Sequence, residues 1–245
     1  MSAEDHPEAA QASRKLPAGV VRSSDIAKDS FARVLLLGPA KIGKTTTLLT
    51  TAPKPLVLNC DGEGATQYAA AEGADFLEIK VTNRNGVGCK QSWTAARRAA
   101  KELSEAGEVR TIVLDTITLL GDNLVEDLGT TLEGFDLWNE VYDQIIGGIK
   151  RLCELPAHLF VVGHMDPRED LISGIMPLVP GKAKAMLGPM LGDWILFDFE
   201  AGRKPERAFL LGPQKSWTHS GRNVRKTCIV PPNATELLRE LGFEP

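Results

Sequence analysis

The chain predicts an α/β fold with a mostly parallel central sheet. Three observations lead there: short Val/Ile/Leu runs recur along the sequence, amphipathic stretches of helical period separate the first five of them, and the last three runs lie too close together for helical crossovers. The runs are almost purely apolar rather than alternating, which is the pattern of strands covered on both faces. The last three should therefore extend the sheet in antiparallel fashion.

In order, the strands are expected at 34–37, 56–59, 76–80, 111–114, 159–162, 194–199, 208–211 and 224–230. A helical run at 46–51 follows the first strand. A helix over 92–106 buries Trp93, Ala96, Ala100 and Leu103, and one over 136–155 buries Leu137, Val141, Ile145, Ile149 and Leu152 before Pro156 stops it. Three stretches, 62–67, 121–134 and 165–192, read as irregular, and the last is long enough to expect a binding loop. Residues 1–28 carry Ala, Ser and mixed charge without an apolar period, so a flexible N-terminal arm is expected before one domain over 29–245.

Composition narrows the function classes. With 245 residues, 43% hydrophobic and a formal charge of -4, the chain has material for one substantial core and no bulk positive charge to coat a polyanion. Any nucleic-acid contact must be a local patch. No apolar run approaches the roughly 18 to 20 residues of a membrane span, and the first residues lack the apolar segment of an export signal. Cys60, Cys89, Cys153 and Cys228 are widely spaced, which reads as reduced thiols and a cytoplasmic location.

The segment Gly38, Pro39, Ala40, Lys41, Ile42, Gly43, Lys44, Thr45 fits G-x-x-x-x-G-K-[ST], between a VLLL strand and the helical run that opens at Thr46. Glycines let the backbone curl so that successive N–H groups face phosphate oxygens, with the positive end of a helix behind them. Lys44 then reaches the β- and γ-phosphates of ATP, and the Thr45 hydroxyl is a ligand for Mg2+. The strand at 111–114 runs into Asp115, a carboxylate placed to order the water shell of the same cation. The strand at 56–59 runs into Asp61-Gly62-Glu63-Gly64, where flanking glycines let Glu63 approach substrate as the residue that aligns the attacking water. Asp61 is the alternative base, and His164, closing the strand at 159–162, is open to a purely structural reading as a strand-end histidine.

Together these residues resemble the RecA-like recombinase ATPases over roughly 31–230, in particular the compact phage nucleotide-binding proteins that have a RecA core without extra domains and assist single-strand annealing. The resemblance implies a RecA-like P-loop fold and a Mg2+-dependent ATPase stimulated by single-stranded DNA. It also implies head-to-tail homo-oligomers and a single-strand-binding protein as a further partner. It assigns the catalytic glutamate to Glu63 and a γ-phosphate sensor to His164, where RecA itself uses Gln. DNA-contacting loops are implied after Asp115 and after His164. The first is acidic here, with Asp122, Glu126, Asp127 and Glu133, and suits phosphate poorly. The second offers Arg168, Lys182 and Lys184, which would meet either DNA or a neighbouring subunit's γ-phosphate. The basic residues after position 200, Arg207 and Lys226 among them, contrast with the acidic 102–143 stretch, as in a protomer that stacks acidic face on basic. A P-loop alone also leaves open a small-molecule kinase or a nucleotide-gated assembly module with slow hydrolysis.

Overall fold

A computed structural model describes residues 31–62, 64–83, 87–165, 178–180, 182–199, 206–211 and 226–245. Glu63, Arg168 and the arm at 1–28 lie outside the described residues, as do most of the basic residues after position 200 and the start of the last expected strand. Lys184 is described by its backbone alone.

The eight strands are β1 Arg33–Gly38, β2 Pro55–Asn59, β3 Leu77–Lys80, β4 Thr111–Asp115, β5 His158–His164, β6 Asp193–Phe199, β7 Arg207–Leu210 and β8 Cys228–Ile229. They form one sheet in the order β3-β2-β4-β5-β1-β6-β7-β8. The first six are mutually parallel, and β7 and β8 turn antiparallel. The expected extension is therefore corrected at its first member: β6 pairs parallel with β1, because the 28 residues between β5 and β6 leave room for a crossover that contains a helix.

The helices are α1 Lys44–Thr51, α2 Gly64–Ala71, α3 Cys89–Glu105, α4 Ile117–Leu128, α5 Gly134–Cys153, α6 Ala183–Met190 and α7 Ala234–Glu240. Strand residues alternate between two cores. Leu35, Leu37, Leu56, Leu58, Ile112 and Leu114 face α3, α4, α5 and α6, while Val34, Leu36, Val57, Val113 and Phe160 face α1 and α7. This two-sided burial is why the strands read as continuous apolar runs.

The three irregular stretches need correction. In 62–67, α2 starts at Gly64. In 121–134, α4 runs to Leu128, with Ile117, Leu120, Leu124 and Leu128 buried at helical spacing. Its acids have structural work: Asp127 accepts the Lys90 backbone N–H at 2.8 Å in the first turn of α3, where Gly88 supplies no side-chain cap. In 165–192, α6 occupies the end, and Pro180 packs against Gly121, where a Cβ would lie 2.6 Å from the proline ring. Among the described residues no helix is long and apolar enough to cross a membrane.

Candidate functional site

Parallel strands direct their carboxyl ends to one edge of the sheet, and the chemistry-bearing turns collect there. The register places Gly38 opposite His164, Asp115 opposite Val162, and Asn59 opposite Asp115. The turns after β1, β2, β4 and β5 thus border a common cleft of about 560 Å3, lined among others by Lys44, Thr45, Asp61, Asp115 and His164.

The phosphate-binding loop has the local geometry its motif demands. Gly43 stands at φ 103°, in the left-handed region, as the N-cap of α1. Gly38 has no room for a side chain, since a Cβ would approach the Phe197 carbonyl oxygen of β6 to 2.2 Å. No side chain caps α1 and no acid sits in its first turn. By contrast, α4 is capped by Thr116, whose hydroxyl accepts the Leu119 N–H at 3.2 Å, and α7 by Asn233, whose carbonyl oxygen accepts the Glu236 N–H at 3.0 Å. The start of α1 therefore keeps its amides for an external anion.

Lys44 is buried, and its Nζ donates to the Gly38 carbonyl at 2.9 Å and the Pro39 carbonyl at 2.7 Å. Burial lowers its pKa to about 8, with the charges of Asp115 and Asp61 opposing that fall. Asp115 is 1% exposed. Burial pushes its carboxyl up to about 6, against a hydrogen bond from Thr45 and the charge of Lys44. One carboxylate oxygen, Oδ1, has no hydrogen-bond partner. A buried carboxylate with an oxygen to spare, bonded through the other side to a threonine hydroxyl, fits a hard divalent cation bound by few protein oxygens plus phosphate and water. Thr45 and Asp115 are the residues that would hold Mg2+.

The acidic turn after β2 is tightly held up to the last described residue. The buried Asn59 carbonyl oxygen accepts the N–H groups of Asp61 at 2.9 Å and Gly62 at 3.2 Å. Its amide donates to the Gly62 carbonyl at 2.5 Å and to Glu78 at 2.6 Å, and Asn123 of α4 donates to the Cys60 carbonyl at 3.2 Å. Asp61 borders the cleft; the turn leads into Glu63, which is beyond description.

His164 borders the cleft half-buried, its backbone N–H donating to Thr118 at 3.1 Å and its carbonyl accepting from Leu178 at 2.8 Å. Burial lowers its pKa and Lys44 lowers it further, so the ring is neutral at pH 7. Lys182 does not border the cleft; it is exposed, with Nζ 5.9 Å from the centre of the Phe135 ring on α5. Lys226, one of the basic residues after position 200, is ion-paired with Glu236 of α7.

Two cleft residues escaped the sequence reading. Tyr68 of α2 is more than half exposed and lines the cleft beside Thr47 and Thr50. Arg207 of β7 also reaches the loop, its Nη1 donating to the Ile42 carbonyl at 3.2 Å. Their signals were slight: a lone tyrosine about one helical turn past the acidic turn, and one arginine within a generally basic segment.

The AAA domain family matches residues 30–190. A solved structure described as a prototypical ATPase from the type III secretion system of pathogenic bacteria superposes with a TM-score of 0.48 at 11% identity, over 69% of this chain and 54% of that one. The chain thus spans about half the length of that protein. No curated protein sequence matches it.

Proposed function

The chain belongs to the AAA domain family and is an ATPase of the P-loop class, and from that premise we propose a Mg2+-dependent ATPase that acts on single-stranded DNA in recombination or strand annealing, as a head-to-tail oligomer. The observation that carries the nucleotide part is the uncapped, glycine-curled start of α1 beside a buried carboxylate with an unpartnered oxygen. The DNA part is supported by the resemblance to compact RecA-like proteins and by the exposed, basic position of Lys182 beyond the sensor strand.

In this reading the loop amides and Lys44 hold the triphosphate, and Lys44 exchanges its two carbonyl acceptors for phosphate oxygens. Thr45 and Asp115 hold the cation, whose chemistry is charge neutralisation on the phosphates. Glu63 aligns the attacking water, its turn anchored by Asn59. The neutral His164 ring donates to the γ-phosphate and passes the nucleotide state into the segment that follows it. Arg168, Lys182 and Lys184 serve DNA or the neighbouring protomer.

Phosphate release from ATP with Mg2+, measured with and without a single-stranded oligonucleotide, tests this. Stimulation is expected. Transfer to a nucleoside acceptor in place of release would make the protein a kinase. ATP-dependent assembly by light scattering with neither activity would make it an assembly module. Glu63→Gln should retain ATP binding and lose turnover by about a hundredfold or more.

A further inference from the structure

Arg207 reaches the nucleotide loop by sheet geometry. Strand β6 runs parallel to β1, with Leu37 opposite Leu196, and continues past the end of β1 to Phe199. Arg207, the first residue of β7, lies directly opposite Phe199. The side chain therefore starts beyond the carboxyl end of β1, where the loop emerges, and turns onto it. Among the described residues, Nη1 donates to the Ile42 carbonyl at 3.2 Å, and a Cβ placed on Gly43 would stand 2.6 Å from it. No carboxylate among the described residues pairs with this guanidinium, although acids are available elsewhere along the same cleft wall.

We propose that Arg207 is a nucleotide-binding residue that contacts the phosphate chain of the ATP held by its own loop. This rests on the reading of residues 38–45 as the phosphate-binding loop. A guanidinium carries five N–H donors in a planar fork, and one of the five is spent on Ile42. The remaining donors border the cleft that also contains Lys44, Thr45 and Thr46, and a phosphate chain is the acceptor such a fork suits in two-pronged fashion. The loop amides cradle the α- and β-phosphates, and Arg207 stands over the Ile42–Gly43 step of that loop, so its contact is to phosphates shared by ATP and ADP. The bond to Ile42 preorganises the cation, and Gly43 without a side chain leaves it room. Lys44 holds the Gly38 and Pro39 carbonyls of the loop and Arg207 the Ile42 carbonyl, so one chain supplies two cations to the cleft that takes the triphosphate.

The competing role for Arg207 is to staple the loop backbone and nothing more. Two variants separate the roles. Arg207→Gln keeps an N–H donor for Ile42 and removes the charge, whereas Arg207→Lys keeps the charge. Dissociation constants for ATP and ADP, each with Mg2+, are to be measured by titration calorimetry on the full chain, along with the unfolding midpoint without nucleotide. The expected result is binding weakened about tenfold or more for both nucleotides in Arg207→Gln, substantial recovery in Arg207→Lys, and a nucleotide-free midpoint equal to that of the parent. The nucleotide-binding loss should also shrink at high salt, as the parent's own cationic advantage is screened. Parent-like affinity in Arg207→Gln overturns the proposal. So does weakened binding that tracks a lowered midpoint in both variants, which marks a staple. If the parent chain bound neither nucleotide, the loop reading itself would fall, and Arg207 with it; a failure confined to the variants leaves that reading intact.

Discussion

Asp115 shows how a residue suited to a cation is costly without one. Its carboxyl is pushed from about 3.8 to about 6 by burial, so between those pH values the folded chain holds a proton that the unfolded chain releases. Folding takes up a proton in that window, and stability from this group is greatest at low pH and falls as pH rises towards 6. Lys44 behaves in mirror image: with its ammonium near 8 instead of 10.5, folding releases a proton across that range and rising pH favours the fold. Both burdens are complete between about 6 and 8. Asp115→Asn removes the carboxyl titration, so the stability of the variant minus that of the parent should climb between pH 4 and pH 6 by on the order of 2–3 kcal/mol, then level off. Urea unfolding at pH 4, 5, 6 and 7 measures this, and a difference independent of pH would contradict it.

At the scale of elements, the packing of α3 on α5 turns on one small residue. Trp93 of α3 is fully buried, and its indole N–H donates to the Gln144 carbonyl of α5 at 3.0 Å. Gly148 lies one turn further along α5, where a Cβ would stand 2.6 Å from the indole ring. Gly147, adjacent in sequence, has open space around its Cα. Alanine gains about 1 kcal/mol in helix propensity at either site. At Gly148, overpacking of about 1–3 kcal/mol opposes that gain. Gly147→Ala should therefore raise the unfolding midpoint and Gly148→Ala should lower it, as thermal denaturation of the pair would reveal. Equal effects would mean the indole yields freely. The apolar faces of both helices were legible from period alone. The need for a glycine was not, because the indole comes from an element some fifty residues away.

For the molecule as a whole, the first and last described segments meet on a histidine that sequence left without a role. His158, at the start of β5, is fully buried; its Nδ1 accepts the Ala32 N–H at 3.1 Å, and its Nε2 donates to the Glu244 carbonyl at 2.9 Å. Phe31 and Phe243 pack edge-on against the ring. Burial lowers its pKa to about 4, with nearby Arg110 and Arg33 acting in the same direction, and the Glu244 carbonyl opposing. The neutral ring contributes stability that is complete above about 6.5 and is lost as pH falls towards 4. His158→Leu leaves the buried Ala32 N–H without its partner and removes one of two donors to the Glu244 carbonyl, which Arg110 also reaches at 3.3 Å, at a cost of about 1–3 kcal/mol at pH 7, and the penalty should narrow at pH 5. Chemical denaturation at both pH values is the measurement; a penalty unchanged between them would mean the ring does not titrate with folding.

The sequence by itself determined an α/β chain with a mostly parallel sheet, the places of its apolar strands along the chain, and the glycine-curled loop after the first of them. Strand period, two-sided burial and glycine-dependent backbone are properties of neighbouring residues, and they are written locally. The buried acid Asp115 was legible for the same reason, as the polar end of an apolar run. Tertiary structure alone decided the rest. The 121–128 stretch looked like an acidic loop because Asp122, Glu126 and Asp127 mask an apolar face that shows only at helical spacing. Arg207 reached the loop through pairing across strands. Distance along a chain says little about distance across a sheet, since register joins residues more than a hundred positions apart, and only the folded backbone brings those partners together.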